Sequence, residues 1–512
     1  MARDRVDQHG DREIVMKIAG LLLGVCSVSV AATLRVPGDY ATIQGALDAT
    51  RAGDTVVVAP GEYVIADPVT FQGKSVTLRS EAGPDRTVVR MAPGPQEASV
   101  VIFDSGETAE SVLEGFTLTG GRGLPGGGGI TCTDGSAPTV VNCTIAGNHG
   151  PGIRILVDSS PAITNCRFSG NDGRGVLCDY SSSPALTDCT ISGNDGGVSC
   201  GHNSTPVFTS CAITENRTSF GGGIWTSGGG SPTLLECTIT ANVAVGGDDF
   251  LLDGGGVMSV KDSSAKLINC LIAGNTARMA GGGAACESGG SVEFSGCTIA
   301  ENRAGADGGG LFSAGGSLRA LNSIVWGNLG GSIMVLDAWP PDLTYSCAEG
   351  DAVWHGEANI NRDPLFCLPG EWDDGGTPDD LTDDVWVRGD YRLSRDSPCL
   401  GTGQDGANMG ADLGECEPGA PRFRRGDVNT DADLNVADAV YILQFLFVNG
   451  PRLSCPDAAD ANDDGDVNIA DAVAILAYLF AEAEPLPAPL KRCGPDPTDD
   501  TLDPCTYPED QC

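Results

Sequence analysis

The chain has 512 residues, 73 of them Gly, and its 69 acidic against 30 basic residues give a formal net charge of −39. That charge argues against nucleic acid and anionic membrane surfaces as partners, and leaves cations and neutral or cationic polymers. Aromatics are scarce beside so much glycine, which points away from a bulky globular core and toward many tight turns.

Residues 1–32 read as an export signal. "MKIAGLLLGVCSVSVAA" supplies a lysine, an apolar run and small residues before the change to "TLRVPGDY", with cleavage after about Ala32 and with Met16 as a second candidate start beside Met1. Val25 stands where a lipoprotein signal before Cys26 wants a small residue. No later segment reaches the ~20 continuous apolar residues of a membrane helix. The mature chain is therefore expected to be secreted or on the cell surface, with no transmembrane segment.

The stretch "TIQGALDATRAGDTVVVAPGEY" carries an amphipathic helix pattern, and the body that follows is a repeat. "NCTIAGN", "NCRFSGN", "DCTISGN", "SCAITEN", "ECTITAN", "NCLIAGN" and "GCTIAEN" place Cys143, Cys166, Cys189, Cys211, Cys237, Cys270 and Cys297 one period apart, and "NSIVWGN" continues the series with Ser323. Between them runs a second motif, a glycine-rich corner before Ile130, Ile153, Val176, Val198, Ile224, Val257, Ala284 and Leu311. A third apolar segment, such as "SPTLLE", completes each period. Three short strands in a period that starts in the low twenties are what a right-handed parallel β-helix requires, because each coil lays its strands on those of the coil before.

Strand alternation sends Cys and Ile of "NCTI" to one side and Thr to the other. The Asn closing each motif suits a left-handed turn and can offer its amide to the next coil. Glycine triplets let the backbone bend where a side chain would clash. The repeated cysteines read as small apolar fillers of a stacked core rather than disulfides, as do Cys132, Cys178, Cys200 and Cys286, whose position is held in other coils by Ile155, Thr226, Ser259 and Ser313. With no His beside it, the stack lacks a mixed metal-ligand set. Cys347, Cys367, Cys399, Cys416, Cys455, Cys493, Cys505 and Cys512 fall outside the period and are expected in disulfides of open connectivity.

Residues 33–400 resemble the pectin-lyase-like β-helix superfamily, and the "GN…GGG" rhythm is also similar to the repeats of polymorphic outer-membrane proteins. The resemblance implies an N-terminal capping coil and a closing segment at "NINRDPLFCLPG…GDYRLSRDSPCLGTGQDGANMGAD". It implies no chemistry, since many activities share the scaffold. The Asn-Thr-Asp, paired Asp, Gly-His-Gly and Arg-Ile-Lys set of polygalacturonase-like enzymes is missing from the repeat, and "GHNS" at His202 lacks the second Gly. A pectate-lyase-like arrangement would need calcium-holding carboxylates, for which Asp248, Asp249 and Asp253 are candidates, and a base such as Arg154 or Lys261. An acid-rich turn insertion explains the same carboxylates. Trp225, Trp326 and Phe312 are candidates for a sugar platform or for packing. Catalytic residues therefore stay unassigned; an enzyme on this scaffold is expected to be a polysaccharide lyase or glycoside hydrolase.

Near the C-terminus "DVNTDADLNVAD" and "DANDDGDVNIAD" repeat one pattern. Asp427, Asn429, Asp431, Asn435 and Asp438 occupy positions 1, 3, 5, 9 and 12 of the first loop, and Asp460, Asn462, Asp464, Asn468 and Asp471 those of the second. This is EF-hand spacing, which wraps oxygen ligands around one calcium ion and adds the backbone carbonyl of position 7, here Asp433 and Asp466. Gly465 provides the sharp turn in the second loop, where the first has Ala432. Each loop precedes a single helix, "VADAVYILQFLF" or "IADAVAILAYLF". The pair resembles a type I dockerin, which implies calcium-dependent folding, with the calcium role carried over residue by residue; a cohesin-like protein is a candidate partner, but cohesin recognition itself does not carry over. The hydroxylated residues such modules carry at positions 10 and 11 are here Val436, Ala437, Ile469 and Ala470.

The expected organisation is thus a signal peptide (1–32), a mainly β right-handed parallel β-helix solenoid (33–400), a linker (401–423), a small α-helical calcium-binding dockerin-like domain (424–482) and a Pro-, Asp- and Cys-rich tail (483–512) that serves as a spacer or clasp. The expected function is binding or processing of extracellular polysaccharide, with the C-terminal module for attachment or complex assembly. The alternative is a non-catalytic surface adhesin or structural spacer.

Overall fold

The motif around each ladder cysteine folds as a corner followed by a three-residue strand. Asn142 takes the left-handed backbone (φ 54°), Cys143 turns inward, and Thr144–Ala146 form a strand with Ile145 buried and Thr144 facing out. The corner recurs at Asn165, Asp188, Ser210, Glu236, Asn269 and Asn322, mostly Asn or Asp, whose short polar side chains tolerate this region. The sequence pattern assigned that backbone to the Asn closing each motif. It belongs instead to the residue before the cysteine and to the Gly before the closing Asn, such as Gly147 (φ 61°).

The structure is a computed structural model that describes residues 31–512 except 95–96, 123–126, 247–253, 337–339, 374–383, 417–422, 432, 449, 451, 482–484, 491–492, 495, 497, 499, 501, 503–506 and 508–512. Three parallel sheets of 13, 12 and 11 strands and a fourth of four strands line the solenoid. One coil runs from Ile130–Cys132 in the 11-stranded sheet through Thr139–Val141 and Thr144–Ala146 back to Ile153–Ile155, in register with its start. Like residues therefore stack: Cys132, Ile155, Cys178, Cys200, Thr226, Ser259, Cys286 and Ser313 are successive partners in one ladder. At the glycine corner the coils come so close that a Cβ on Gly223 would lie 2.6 Å from the Gly256 carbonyl oxygen.

Two buried ladders run along the core. Asn148, Asn171, Asn194, Asn216, Asn242, Asn275, Asn302 and Asn328 each lie one coil from the next, and each Nδ2 up to Asn302 donates to the following Oδ1 at 2.8–3.0 Å. The seven motif cysteines are reduced and buried beside them, with Ser323 and Ser346 on the next two rungs. At the N-terminal end α1 (Ile43–Ala49), capped by Thr42, buries Ile43, Ala46 and Leu47 against the first coils. At the other end Trp354 packs against the core.

The closing segment does more than cover the last coil. Residues 366–373 and 384–416 run back along the flank of the 12-stranded sheet, where Gly410 N donates to the Asn322 carbonyl, Ala411 N to Thr298 Oγ1 and Asp412 N to Asn269 Oδ1. The reason lies in the outward positions of that sheet. Earlier coils present Thr144, Thr190 and Thr238, whereas later ones present Leu271 and Ile324, which need cover. Residues 401–416, read from sequence as the start of the linker, thus lie against the solenoid, and Cys367–Cys416 staples the returning chain.

The C-terminal module contains α2 (Val436–Phe447), α3 (Pro456–Ala459) and α4 (Ile469–Phe480). Ala439, Ile442, Ala472 and Ile475 form its core. No helix among the described residues is long and apolar enough to cross a membrane.

Candidate functional site

Each acidic loop folds as the start of its helix. Asn435 and Asp438 form the capping box of α2, and Asn468 and Asp471 that of α4, so positions 9 and 12 of each loop also cap the helix. Asp438 reaches back over the first loop to accept from Val428 N (2.8 Å) and Asn429 N (3.3 Å), and Asp471 accepts from Asn462 N (3.2 Å). Position 1 closes the circle: Asp427 Oδ1 accepts from Asp431 N (3.0 Å), while Asp460 accepts from Asp464 N (3.1 Å) and Gly465 N (2.8 Å). Asn429 and Asn462 donate to Asp431 and Asp464, and Asn435 and Asn468 to the carbonyls of Asp433 and Asp466. Thr430 and Asp463, at position 4, share φ 59°.

The two loops thus gather the same oxygens in the same order. Burial, opposed by backbone hydrogen bonds and reinforced by the charges of Asp460 and Asp464, pushes the Asp471 carboxyl up to about 6; burial and Asp427 raise Asp438. Crowded carboxylate and amide oxygens gathered in this order fit a hard divalent ion.

The tail folds back as a clasp. Leu486, Ala488 and Leu490 join the helical core, and the Tyr507 hydroxyl donates to the Asp427 carbonyl. Arg425, fully buried, donates to the carbonyls of Asp460 (2.5 Å) and Ala488 (3.1 Å) and pairs with Asp463 (2.8 Å) and Asp496 (2.9 Å), joining the second loop to the tail. Cys455 and Cys493 are disulfide-bonded. On the outer side Val436, Val440 and Phe447 are exposed, as are their equivalents Ile469, Val473 and Phe480.

The solenoid candidates separate. Asp248, Asp249 and Asp253 lie outside the described residues. Arg154 is partly buried on an outward strand position, and Lys261 sits at an exposed left-handed corner. His202 stacks on Tyr180 and contacts Asp179 at 2.5 Å on an exposed turn. Phe312 and Trp225 belong to a satellite apolar cluster with Met258 and Ala285, and Trp326 packs beside Ile324. Burial pushes the Cys200 thiol up to about 12, and Cys132 and Cys178 higher still, so these are not thiolate nucleophiles.

A feature the sequence reading missed is a hairpin, Glu371–Asp373 with Val385–Val387, folded over the solenoid flank. Trp372 Nε1 donates to the Glu301 carbonyl (3.0 Å), and Arg303 lies over the Trp372 ring while pairing with Asp384. Trp386 lies across Gly274, where a Cβ would fall 2.0 Å from the indole. The module reaches the same hairpin through Tyr478, whose hydroxyl donates to Asp373 (3.1 Å). The available signal was two Trp and a Tyr in "EWDDGG…VWVRGDY", in a chain otherwise poor in aromatics.

A family model described as a right-handed β-helix region matches residues 128–276, and fixes the fold as a right-handed parallel β-helix. Comparison with curated protein sequences gives no match. Among solved structures the chain is similar to a pectate lyase (13% identity, TM-score 0.41, covering 75% of this chain and 97% of that one). It is also similar to the catalytic domain of an α-1,3-glucanase in complex with nigerose (13%, 0.39, 63% and 68%) and to the A-module of a mannuronan C-5 epimerase from Azotobacter vinelandii (14%, 0.36, 60% and 95%).

Proposed function

We propose that this chain is an exported β-helix that binds extracellular polysaccharide and is held in place by a calcium-folded, dockerin-like C-terminal module. The observation that carries the reading is the doubled loop and helix unit: two oxygen networks built from the same loop positions, each followed by exposed apolar residues at equivalent helix positions. Asp427, Asn429, Asp431, Asn435 and Asp438, with Asp460, Asn462, Asp464, Asn468 and Asp471, would hold calcium through their side chains, and Asp433 and Asp466 through their carbonyls. Bound calcium supplies the positive charge that offsets carboxylate repulsion. The chain's own part is to tie that event to helix formation, since Asn435, Asp438, Asn468 and Asp471 are also the caps.

Exposed Val436 and Ile469, in place of hydroxylated residues, favour a cohesin-like partner with an apolar contact surface. Partly exposed indoles on a hairpin along the solenoid favour a sugar ligand.

The test is binding of the full mature chain to a panel of extracellular polysaccharides, with product analysis. Retention on at least one is expected. New ultraviolet absorbance would identify a lyase and new reducing ends a hydrolase. Failure to bind any of them overturns the polysaccharide reading in favour of an adhesin or spacer.

A further inference from the structure

Two cavities of about 470 Å³ each lie between the solenoid flank and the C-terminal module, and they share Arg388 and Pro487 in their walls. One is bounded by the solenoid residues Arg217 and Thr276, the indoles of Trp372 and Trp386, and Pro485 of the tail. The other is bounded by Tyr391 of the returning chain, Asp463 of the module and Thr498 of the tail. They form one cleft to which both modules contribute, the kind of place where ligand sites concentrate.

The charges around this cleft are unevenly satisfied. Of its carboxylates, Asp384 pairs with Arg303, Asp390 with Arg392 and Asp463 with Arg425; Asp384 Oδ1 is buried without a hydrogen bond among the described residues, and Glu215 lies at the rim. Among the described residues Arg217 and Arg388, both exposed, make no ion pair. Two uncompensated guanidinium groups facing one cleft stand out in a chain of net charge −39. Repulsion from the distant acidic residues is screened beyond about 8–10 Å at ordinary salt, so the local cations decide what enters. Guanidinium groups pair carboxylates in a two-pronged geometry, and flat indoles receive the apolar faces of sugar rings. The wall also holds the Tyr391 hydroxyl, which the Trp386 indole and the Gly370 backbone both approach as hydrogen-bond donors.

We propose that this inter-module cleft is a binding site for an acidic, uronate-bearing oligosaccharide, with Arg217 and Arg388 taking its carboxylates and Trp372 and Trp386 its ring faces. This rests on the polysaccharide reading above and makes the C-terminal module part of the sugar site as well as an attachment device.

The experiment is calorimetric titration of the full mature chain with hexamers of galacturonate and of mannuronate and with their methyl esters, which keep the sugar and remove its charge. At least one acid hexamer should bind about tenfold or more tightly than its ester. Arg388→Gln and Arg217→Gln, both at exposed positions, should each abolish most of that difference, and Arg167→Gln, on an exposed strand position of the solenoid, should leave it intact. If the hexamers bind but the Arg388 and Arg217 variants bind them unchanged, the cleft is overturned and the polysaccharide reading stands. If an ester binds as well as its acid, the acidic class is overturned. If none binds and the wider polysaccharide panel also fails, both readings fall.

Discussion

The solenoid and the C-terminal module solve the same problem, a shortage of bulky apolar side chains, in opposite ways. In the solenoid each coil supplies its neighbour with what it lacks. Asn216 accepts from Asn194 through both its backbone N–H and its side chain, and donates onward to Asn242, so order propagates by contact between like residues. The module has only two copies of its unit, and each is organised around a ring of carboxylates that repel one another. Repetition stabilises the first, whereas in the function proposed above the second takes up a cation to make its charges compatible.

The largest test of this contrast is calcium removal. Chelation should cost the module its helical circular dichroism and remove one calorimetric transition while the β-helix transition stays in place. Asp460→Ala should weaken calcium binding about tenfold or more. A helical signal indifferent to chelation and restoration would show that the module folds on packing alone.

Next in size is a break in the ladder. Asn216→Ala removes four buried hydrogen bonds and leaves the buried Asn194 backbone N–H without the Oδ1 it donates to, at a cost on the order of 4 kcal/mol. Denaturant unfolding of the solenoid measures it; a loss below about 1 kcal/mol would mean that rungs are independent rather than mutually supporting.

A smaller effect is expected at the thiols. Cys237→Ser should cost about 1 kcal/mol, since Ser323 and Ser346 already hold equivalent rungs. Labelling the denatured, unreduced chain should find Cys166 and Cys189 as free thiols. Disulfide-linked peptides at both would contradict the packing role.

The smallest concerns the first coil. Asp54 accepts from Arg51 N, a bond that holds its carboxyl below the ordinary value near 3.8. A depressed folded value means that the stabilisation is complete above the ordinary carboxylate range and fades as pH falls through the still lower folded one. Acid unfolding below about pH 4 should therefore be less steep in Asp54→Asn, and an unchanged profile would remove this bond from the account.

The solenoid was legible because its signal is written many times: Cys143 and its successors fix the coil length, and Ile130 and its successors fix the sheet. The paired acidic loops were legible as spacing, since the positions of their side-chain oxygens are set by the local chain. The returning segment was not, because its partners are far away in sequence. Asp412 bonds Asn269 across 143 residues, and only the change from Thr238 to Leu271 on an outward strand position hints that a cover is coming. Arg425 was equally silent, being a basic residue in an apparent linker until the tail folds over it.

The asparagine column has a direction. Each amide from Asn148 to Asn302 donates one N–H to the Asn Oδ1 of the coil that follows and the other to a backbone carbonyl of the coil before, so the Asn-to-Asn bonds all run one way and the column is a one-way polar wire along the solenoid axis. Such a wire can be lengthened or shortened only by whole coils with their amide in line, yet it is indifferent to what happens away from it. The largest spacing along it, 33 residues between Asn242 and Asn275, is accommodated with an amide bond of 2.9 Å, no longer than at the 22-residue step. The axis is thus conservative and the rim free to vary, which lets such a chain acquire new loops without renegotiating its core.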